Sequence, residues 1–322
     1  MKEKLLYILS EKQCEYISGQ ELADRLSVSR AAIWKGIETL RKDGIPIEAS
    51  TNRGYMLCSY ADVLSSESIR KKLGSLAERI RIRTCREVGS TNTEVREAAK
   101  QGEPEGFVVI SERQTAGYGR RGRQFYSPAF SGLYMSILLR PDMTAESSLL
   151  ITTAAAVSAA EAIEAVSGKK TEIKWVNDIL TDGKKVCGIL TEAALSLESG
   201  SLDYAVLGIG VNLREPEGGF PDELLGIAGA LFDRPVPDAR NRLAAGIVKS
   251  FFSYYDSLAE KRFFEAYKSR LTMLGRRITV IKPEGDFKAE AIDLDGDFRL
   301  AVRYDDGKTE LLSSGEVSTR PE

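Results

Sequence analysis

Histidine is absent from all 322 residues. That excludes Ser-His-Asp and Cys-His nucleophilic machinery, imidazole acid-base work and His-ligated metal sites. Any base must be a carboxylate, a lysine, a tyrosine or the substrate itself. Cysteine is scarce: Cys14, Cys58, Cys85 and Cys187 are scattered without C-x-x-C spacing. Neither a zinc site nor a disulfide framework is expected, and a reducing cytoplasm is the default compartment. No apolar run reads as long enough to span a bilayer, and the opening residues lack a signal-peptide pattern, so no membrane partner is expected. Excess charge is missing too. With 45 basic and 47 acidic side chains the net charge is −2, which argues against strong whole-molecule attraction to nucleic acid but leaves room for a local basic face. What remains is an ordinary globular composition in a chain long enough for two or three domains.

The first sixty residues differ in character from the rest. Residues 3–9 form a short amphipathic helix. Ser18 and Glu21 make a capping box that starts a second, with Leu22, Ala23 and Leu26 on one face. Ser27 and Val28 turn the chain, and Ser29 caps a third helix carrying Ile33, Ile37 and Leu40 at apolar spacing. That pattern leaves Arg30, Ala31, Trp34 and Lys35 outward near the helix start, where a recognition helix meets base edges. Residues 45–57 read as a hairpin wing with Arg53 at its tip. Ser29, Arg30, Ala31, Trp34, Lys35 and Arg53 are therefore the expected DNA contacts of a winged helix-turn-helix domain spanning 1–62, its helix-turn-helix at about 19–38.

The densest chemistry lies in Gly117-Tyr118-Gly119-Arg120-Arg121-Gly122-Arg123. Glycines interleaved with arginines make a loop whose amides and guanidinium groups close on a phosphate. The glycine spacing also fits a dinucleotide fingerprint, but that motif needs a helix afterwards, and here an apolar strand pattern at 132–139 follows. Further on, Lys174-Trp175-Val176-Asn177-Asp178 and Lys185 add a carboxylate, a carboxamide and point-charge lysines suited to nucleotidyl chemistry. Together these segments predict an enzyme that handles an adenylate.

Between 63 and 272 strand and helix patterns alternate, which predicts a mixed-sheet α+β domain. Strands are expected at 80–84, 107–111, 133–139, 172–176 and 204–212, with residues 179–190 as a hairpin. Helices are expected at 93–100, 149–166, from a cap at Asp238 to 258, and 263–271. From 273 to 322 short strands alternate with Gly-Asp turns, the rhythm of a small β-barrel.

The chain resembles the bacterial bifunctional biotin protein ligase and biotin-operon repressor family over nearly its whole length. The motifs that carry the resemblance are Gly89-Ser90-Thr91-Asn92, residues 114–123, 174–178, 185–190, 208–212 and 315–320. It implies a winged helix-turn-helix domain, a biotin/lipoate ligase-like catalytic domain and an SH3-like C-terminal domain. It also implies two steps: biotin and MgATP give biotinyl-5′-adenylate, and a lysine of the biotin carboxyl carrier protein of acetyl-CoA carboxylase then takes the biotin. Ser90, Thr91, Asn92, Gln114, Tyr118, Gly119, Arg120, Lys185 and Gly188 would hold biotin. Arg120, Arg121, Arg123, Phe125, Asn177, Asp178, Lys185, Asn212, Glu316 and Arg320 would hold ATP or the adenylate, with Mg2+ brought by the nucleotide and no metal site in the protein alone. Lys185, Arg120 and Asp178 would carry the catalysis, Asp178 accepting the acceptor lysine's proton. The DNA partner would be the biotin operator, bound by a homodimer favoured by the adenylate.

Three positions depart from the family. Tyr118 replaces an arginine, Val176 a proline that makes a turn rigid, and Phe125 a tryptophan found in some members. Looser retention of the adenylate is expected, with Tyr118→Arg slowing its release. Two other readings compete: a lipoate ligase, and a ligand-sensing repressor with an inactive ligase domain. Residues 193–203 read as a polar loop in the hairpin region, a candidate contact for the carrier protein.

Overall fold

The structure is a computed structural model that describes residues 1–322 except 43–44, 59–60, 145–146, 196–200, 283, 314–315 and 319–322, and only the backbone of Glu3 and of 316–318.

Three helices open the chain: α1 (Lys2–Glu11), α2 (Gly19–Leu26) and α3 (Arg30–Lys42). The Ser18 hydroxyl accepts from the Glu21 amide at 3.0 Å, and the Ser29 hydroxyl from the Ala32 amide at 3.2 Å, so both expected caps form. Leu5, Leu9, Leu22, Ile33, Ile37 and Leu40 pack into one small core. A hairpin of β1 (Ile47–Ser50) and β2 (Gly54–Leu57) closes it. Gly54 is obligatory there: its φ is +104°, and a Cβ would lie 2.1 Å from the Ile17 carbonyl oxygen.

After α4 (Ser66–Leu73) comes a seven-stranded mixed sheet. Its strands are β3 (Arg81–Val88), β4 (Phe107–Gln114), β5 (Gly132–Leu139), β6 (Glu172–Lys174), β7 (Asp178–Thr181), β8 (Lys184–Leu195) and β9 (Leu202–Asn212), in the spatial order β3-β4-β5-β9-β8-β7-β6. Only β3 and β4 run parallel; the other neighbours are antiparallel. Alternation along β4 divides the core: Val108 and Ile110 face one cluster, Phe107 and Val109 the other. The helices α6 (Ser148–Ser167) and α7 (Ala239–Tyr255) cover the first face, and α5 (Thr91–Lys100) the second.

The C-terminal part is a five-stranded antiparallel sheet in the order β13-β12-β11-β10-β14. Its strands are β10 (Arg277–Lys282), β11 (Gly285–Leu294), β12 (Leu300–Tyr304), β13 (Thr309–Leu312) and β14 (Glu316–Ser318). Among the described residues β13 and β14 do not pair, so the expected barrel is open along that seam. Its apolar face joins the core of the central sheet through Phe298. That ring stacks on Phe263 at 5.0 Å and meets the edges of Phe264 and Tyr267, from the segment holding α8 (Phe264–Lys268).

Several expectations need correction. The helix after Ser90 begins at Thr91, not at 93, because an acceptor from outside, Gln114 Oε1, takes the Thr91 amide at 2.8 Å. The strand at 172 ends at Lys174; the chain turns over 175–177, and Asp178 starts β7 opposite Lys174. Asp238 precedes α7 but makes no cap bond: its φ is +56°, and its carboxylate takes Asn241 Nδ2 at 2.8 Å and Lys72 at 2.6 Å. The last helix covers only Phe264–Lys268. Of the polar loop expected at 193–203, β8 continues to Leu195 and β9 starts at Leu202, while 196–200 lie outside the described residues. Finally, α6 is long and apolar enough to cross a membrane, contrary to the sequence reading, but Ile151, Ala154–Ala160 and Ile163 are buried against the sheet and α7. It is a core helix.

Candidate active site

Near one end of the central sheet lies a cleft of about 540 Å³. The glycine-rich loop lines it together with the N-terminus of α5, β8, β9, the 174–178 turn and a segment around 220–228. The loop folds back on itself: Gly119 donates its amide to Arg123 O at 2.7 Å and Phe125 to Gly117 O at 2.9 Å. Glycine is required at 117, where a Cβ would meet Ser127 Oγ at 2.7 Å, but not sterically at 119, where the nearest atom stands 3.7 Å away.

A polar chain runs along one side of the cleft. Gln114 Oε1 takes the Thr91 amide, and its Nε2 donates to Ser127 Oγ at 3.0 Å. Ser136 Oγ lies 2.7 Å from Thr91 Oγ1 and 2.6 Å from Asn92 Oδ1. Asn92 Nδ2 donates to Glu192 Oε2 at 2.7 Å. Gly208 makes room for this, since a Cβ there would come within 2.2 Å of Asn92 Oδ1. Such buried donors and acceptors suit a small polar heterocycle in a largely apolar pocket.

Cations and a carboxylate share the same cleft. Lys185 Nζ stands 2.7 Å from Asp178 Oδ1, and that oxygen is shielded from solvent without a well-aligned hydrogen bond. Arg120 Nη1 donates to Asn177 Oδ1 at 3.1 Å, and Asn177 Nδ2 to Ile189 O at 2.7 Å. Phe125 closes over Gly188 and Gly210; a Cβ on Gly210 would lie 2.5 Å from its ring. The turn with Val176 is held from outside: Tyr267 Oη donates to Val176 O at 3.0 Å, and the buried Trp175 indole to Phe298 O at 2.9 Å. The turn is thus tied to residues from the last third of the chain.

Ser90, Thr91, Asn92, Gln114, Tyr118, Gly119, Arg120, Arg123, Phe125, Asn177, Asp178, Lys185, Gly188 and Asn212 all line this one cleft. Arg121 does not; it is exposed, with a left-handed backbone. Glu316 sits on β14 opposite Ile281, which lines the cleft, and its side chain lies outside the described residues, as does all of Arg320. Sequence reasoning missed Ser127, Ser136, Glu192 and Arg96, whose residue types carry no signal without the fold. In the N-terminal domain, Ser29, Arg30, Ala31, Trp34 and Lys35 are exposed along one end of α3, and Arg53 lies 3.9 Å over the Tyr16 ring.

Family models agree with this layout. An HTH domain matches residues 2–56, the biotin/lipoate A/B protein ligase family residues 84–212, and a biotin protein ligase C-terminal domain residues 273–320. The bifunctional ligase/repressor BirA of Bacillus subtilis is 32% identical over 98% of this chain and 97% of its own. The chain belongs to the bifunctional biotin ligase/repressor family. The family member of Bacillus spizizenii is 39% identical over 72% of this chain and 70% of its own. Among solved structures, a biotin protein ligase from Aquifex aeolicus in complex with biotin and ATP superposes with a TM-score of 0.61 at 25% identity, covering 75% of this chain and 99% of that one.

Proposed function

We propose that the cleft makes biotinyl-5′-adenylate from biotin and ATP and passes the biotin to a lysine of the biotin carboxyl carrier protein of acetyl-CoA carboxylase. The observation that carries the residue assignment is the gathering of Lys185, Arg120, Asn177 and Asp178 in the same cleft as the Thr91–Gln114–Asn92 chain. Thr91, Gln114, Asn92 and Ser90 hold the ureido end of biotin by directional hydrogen bonds. Lys185 lies beside Asp178 in the cleft, and its charge relieves the repulsion between the two anions that must meet, the biotin carboxylate and the α-phosphate. The carboxylate oxygen bonds to phosphorus as the bond to pyrophosphate breaks. Mg2+, brought by the nucleotide rather than held by the protein, would neutralise phosphate charge when bound. Arg120 and Arg123 steady phosphates, and the loop keeps water from the mixed anhydride.

In the second step the acceptor amine attacks the anhydride carbonyl, AMP leaves, and Asp178 takes the amine proton. With no histidine in the chain, a carboxylate is the base at hand. The N-terminal domain reads operator DNA as one half of an adenylate-favoured homodimer, with Arg30, Ala31, Trp34 and Lys35 at base edges and Arg53 on the backbone. Biotin-dependent exchange of labelled pyrophosphate into ATP tests the enzyme assignment. Exchange with lipoate instead, or no exchange at all, overturns it in favour of a lipoate ligase or an inactive sensor.

A further inference from the structure

Glu192, on β8, receives more donors than a partly exposed carboxylate ordinarily collects. Its Oε2 accepts from Asn92 Nδ2 at 2.7 Å, from Tyr118 Oη at 2.9 Å and from Arg96 Nη2 at 2.9 Å, and its Oε1 also takes Arg96 at 2.9 Å. Arg96 Nη2 donates to Tyr118 Oη as well. Three separate elements thus meet at one carboxylate: helix α5 through Asn92 and Arg96, strand β8 through Glu192, and the glycine-rich loop through Tyr118. A loop with glycines at 117, 119 and 122 loses much conformational freedom on ordering, so its side-chain tethers matter. One of them, Arg120 to Asn177, uses a guanidinium that an incoming phosphate competes for. The tether through Tyr118 ends on Glu192 and Arg96, neither of which lines the cleft.

We propose that Tyr118, Glu192 and Arg96 form a latch that holds the first half of the glycine-rich loop down and so sets how long the reaction intermediate stays bound. All three are positioning residues in this role. Arg96 pairs with the Glu192 carboxylate and aims it, and Glu192 fixes the Tyr118 hydroxyl. Burial, then the bond to Glu192, pushes the Tyr118 phenol above its ordinary pKa, so it stays a donor throughout the physiological range. The latch also reverses the expectation for Tyr118→Arg. A second guanidinium there would face Arg96 across one carboxylate, with two cations for a single counter-charge.

The proposal rests on the reading of the cleft as an adenylate site, and the test separates the two. The probe is biotinyl-5′-adenylate made in place by the full-length protein from biotin and MgATP, and its dissociation rate is followed by filter binding. If the wild-type chain makes no adenylate, the reading of the cleft fails before the latch is tested. If it does, Tyr118→Phe and Glu192→Gln should each speed release roughly five- to tenfold, and the double variant no more than the faster single. Tyr118→Arg should also speed release, and adding Arg96→Leu should return the rate toward wild type. A merely structural cluster would lower the melting temperature while leaving the off-rate at the wild-type value. That result, or additive off-rates in the double variant, overturns the latch.

Discussion

Arg240, at the start of α7, holds Asp62 across 178 positions of chain, with Nε 3.1 Å from Asp62 Oδ2 and Nη2 on the Asp62 carbonyl oxygen. Arg240 is 3% exposed, and Glu112 Oε1 stands 3.6 Å from its Nη1, a nitrogen left without a hydrogen bond. The neighbouring Asn241 donates to Val63 O at 2.6 Å and accepts from the Ser65 amide at 2.9 Å. The joint between the DNA-reading helices and the catalytic sheet is therefore clamped by two adjacent side chains of one helix. Glu112 lies two residues before Gln114, so the same guanidinium also borders the strand that enters the cleft.

Removing the cation from this joint leaves two carboxylates in a buried place. Arg240→Met should cost about 3 kcal/mol of stability, read by urea unfolding, because a broken buried pair strands a charge. Asp62→Asn should cost clearly less. A cost for Arg240→Met no larger than that of a surface substitution would show that the joint is held by other contacts.

The joint also carries a pH signature. Burial raises the Asp62 pKa, and its pairing with Arg240 only partly opposes this. A carboxyl whose folded pKa lies above its unfolded value contributes stability that is present below the unfolded pKa and lost as pH rises through the folded one. Asp62→Asn should therefore flatten the decline in stability just above the usual aspartate range. An unchanged slope between the two proteins would contradict this.

In the cleft, Lys185→Met should lower biotin-dependent pyrophosphate exchange by about a hundredfold or more, because the lost charge acts where two anions converge. Asp178→Asn should slow transfer from preformed adenylate to the carrier lysine. Transfer at the wild-type rate would falsify the role of Asp178 as proton acceptor.

The glycines of the site are not equivalent. Gly208→Ala should abolish tight biotin binding by driving Asn92 out of place, and Gly210→Ala should displace the Phe125 ring. Gly119→Ala, where a Cβ would make only an ordinary contact with Arg123 O at 3.7 Å and φ is −115°, should fold normally and bind biotin within a few-fold of wild type. Isothermal titration with biotin on each variant gives the order.

On the N-terminal side, Arg53→Ala should weaken operator binding uniformly across sequences and reduce its salt slope by about one, and Lys35→Ala should weaken operator binding and relax base preference. Pyrophosphate exchange should be unaffected in both. A loss of exchange would mean that the helices contribute to catalysis directly.

Much of this was legible because it is local. The caps of α2 and α3, the hairpin wing, the strands around the glycine loop and the polar end of β9 follow from residue spacing. What stayed hidden depends on residues distant in sequence. Glu192 reads as one more charge on a strand until Arg96, Tyr118 and Asn92 close on it from 74 to 100 positions away. Arg240 carries no signal of its own in the sequence, and Thr91 lies ahead of the expected helix start, until Asp62 and Gln114 reach them. Tyr118 shows the limit most plainly: the sequence marks a lost guanidinium there, and the fold supplies one from α5.

The chain has two tryptophans, and the fold gives one to each half of the protein's work. Trp34 is 56% exposed on α3, while Trp175 is 3% exposed, its indole tied to Phe298 O beside the Asn177–Asp178 turn. Each indole is therefore a native fluorophore in a different environment, one wet and one dry. Trp34→Phe leaves an emission that reports only on the catalytic turn and its seam with the C-terminal sheet. Trp175→Phe leaves one that reports only on the DNA-facing helix. Ligand binding and operator binding can then be followed as two separate optical signals from an otherwise unlabelled protein.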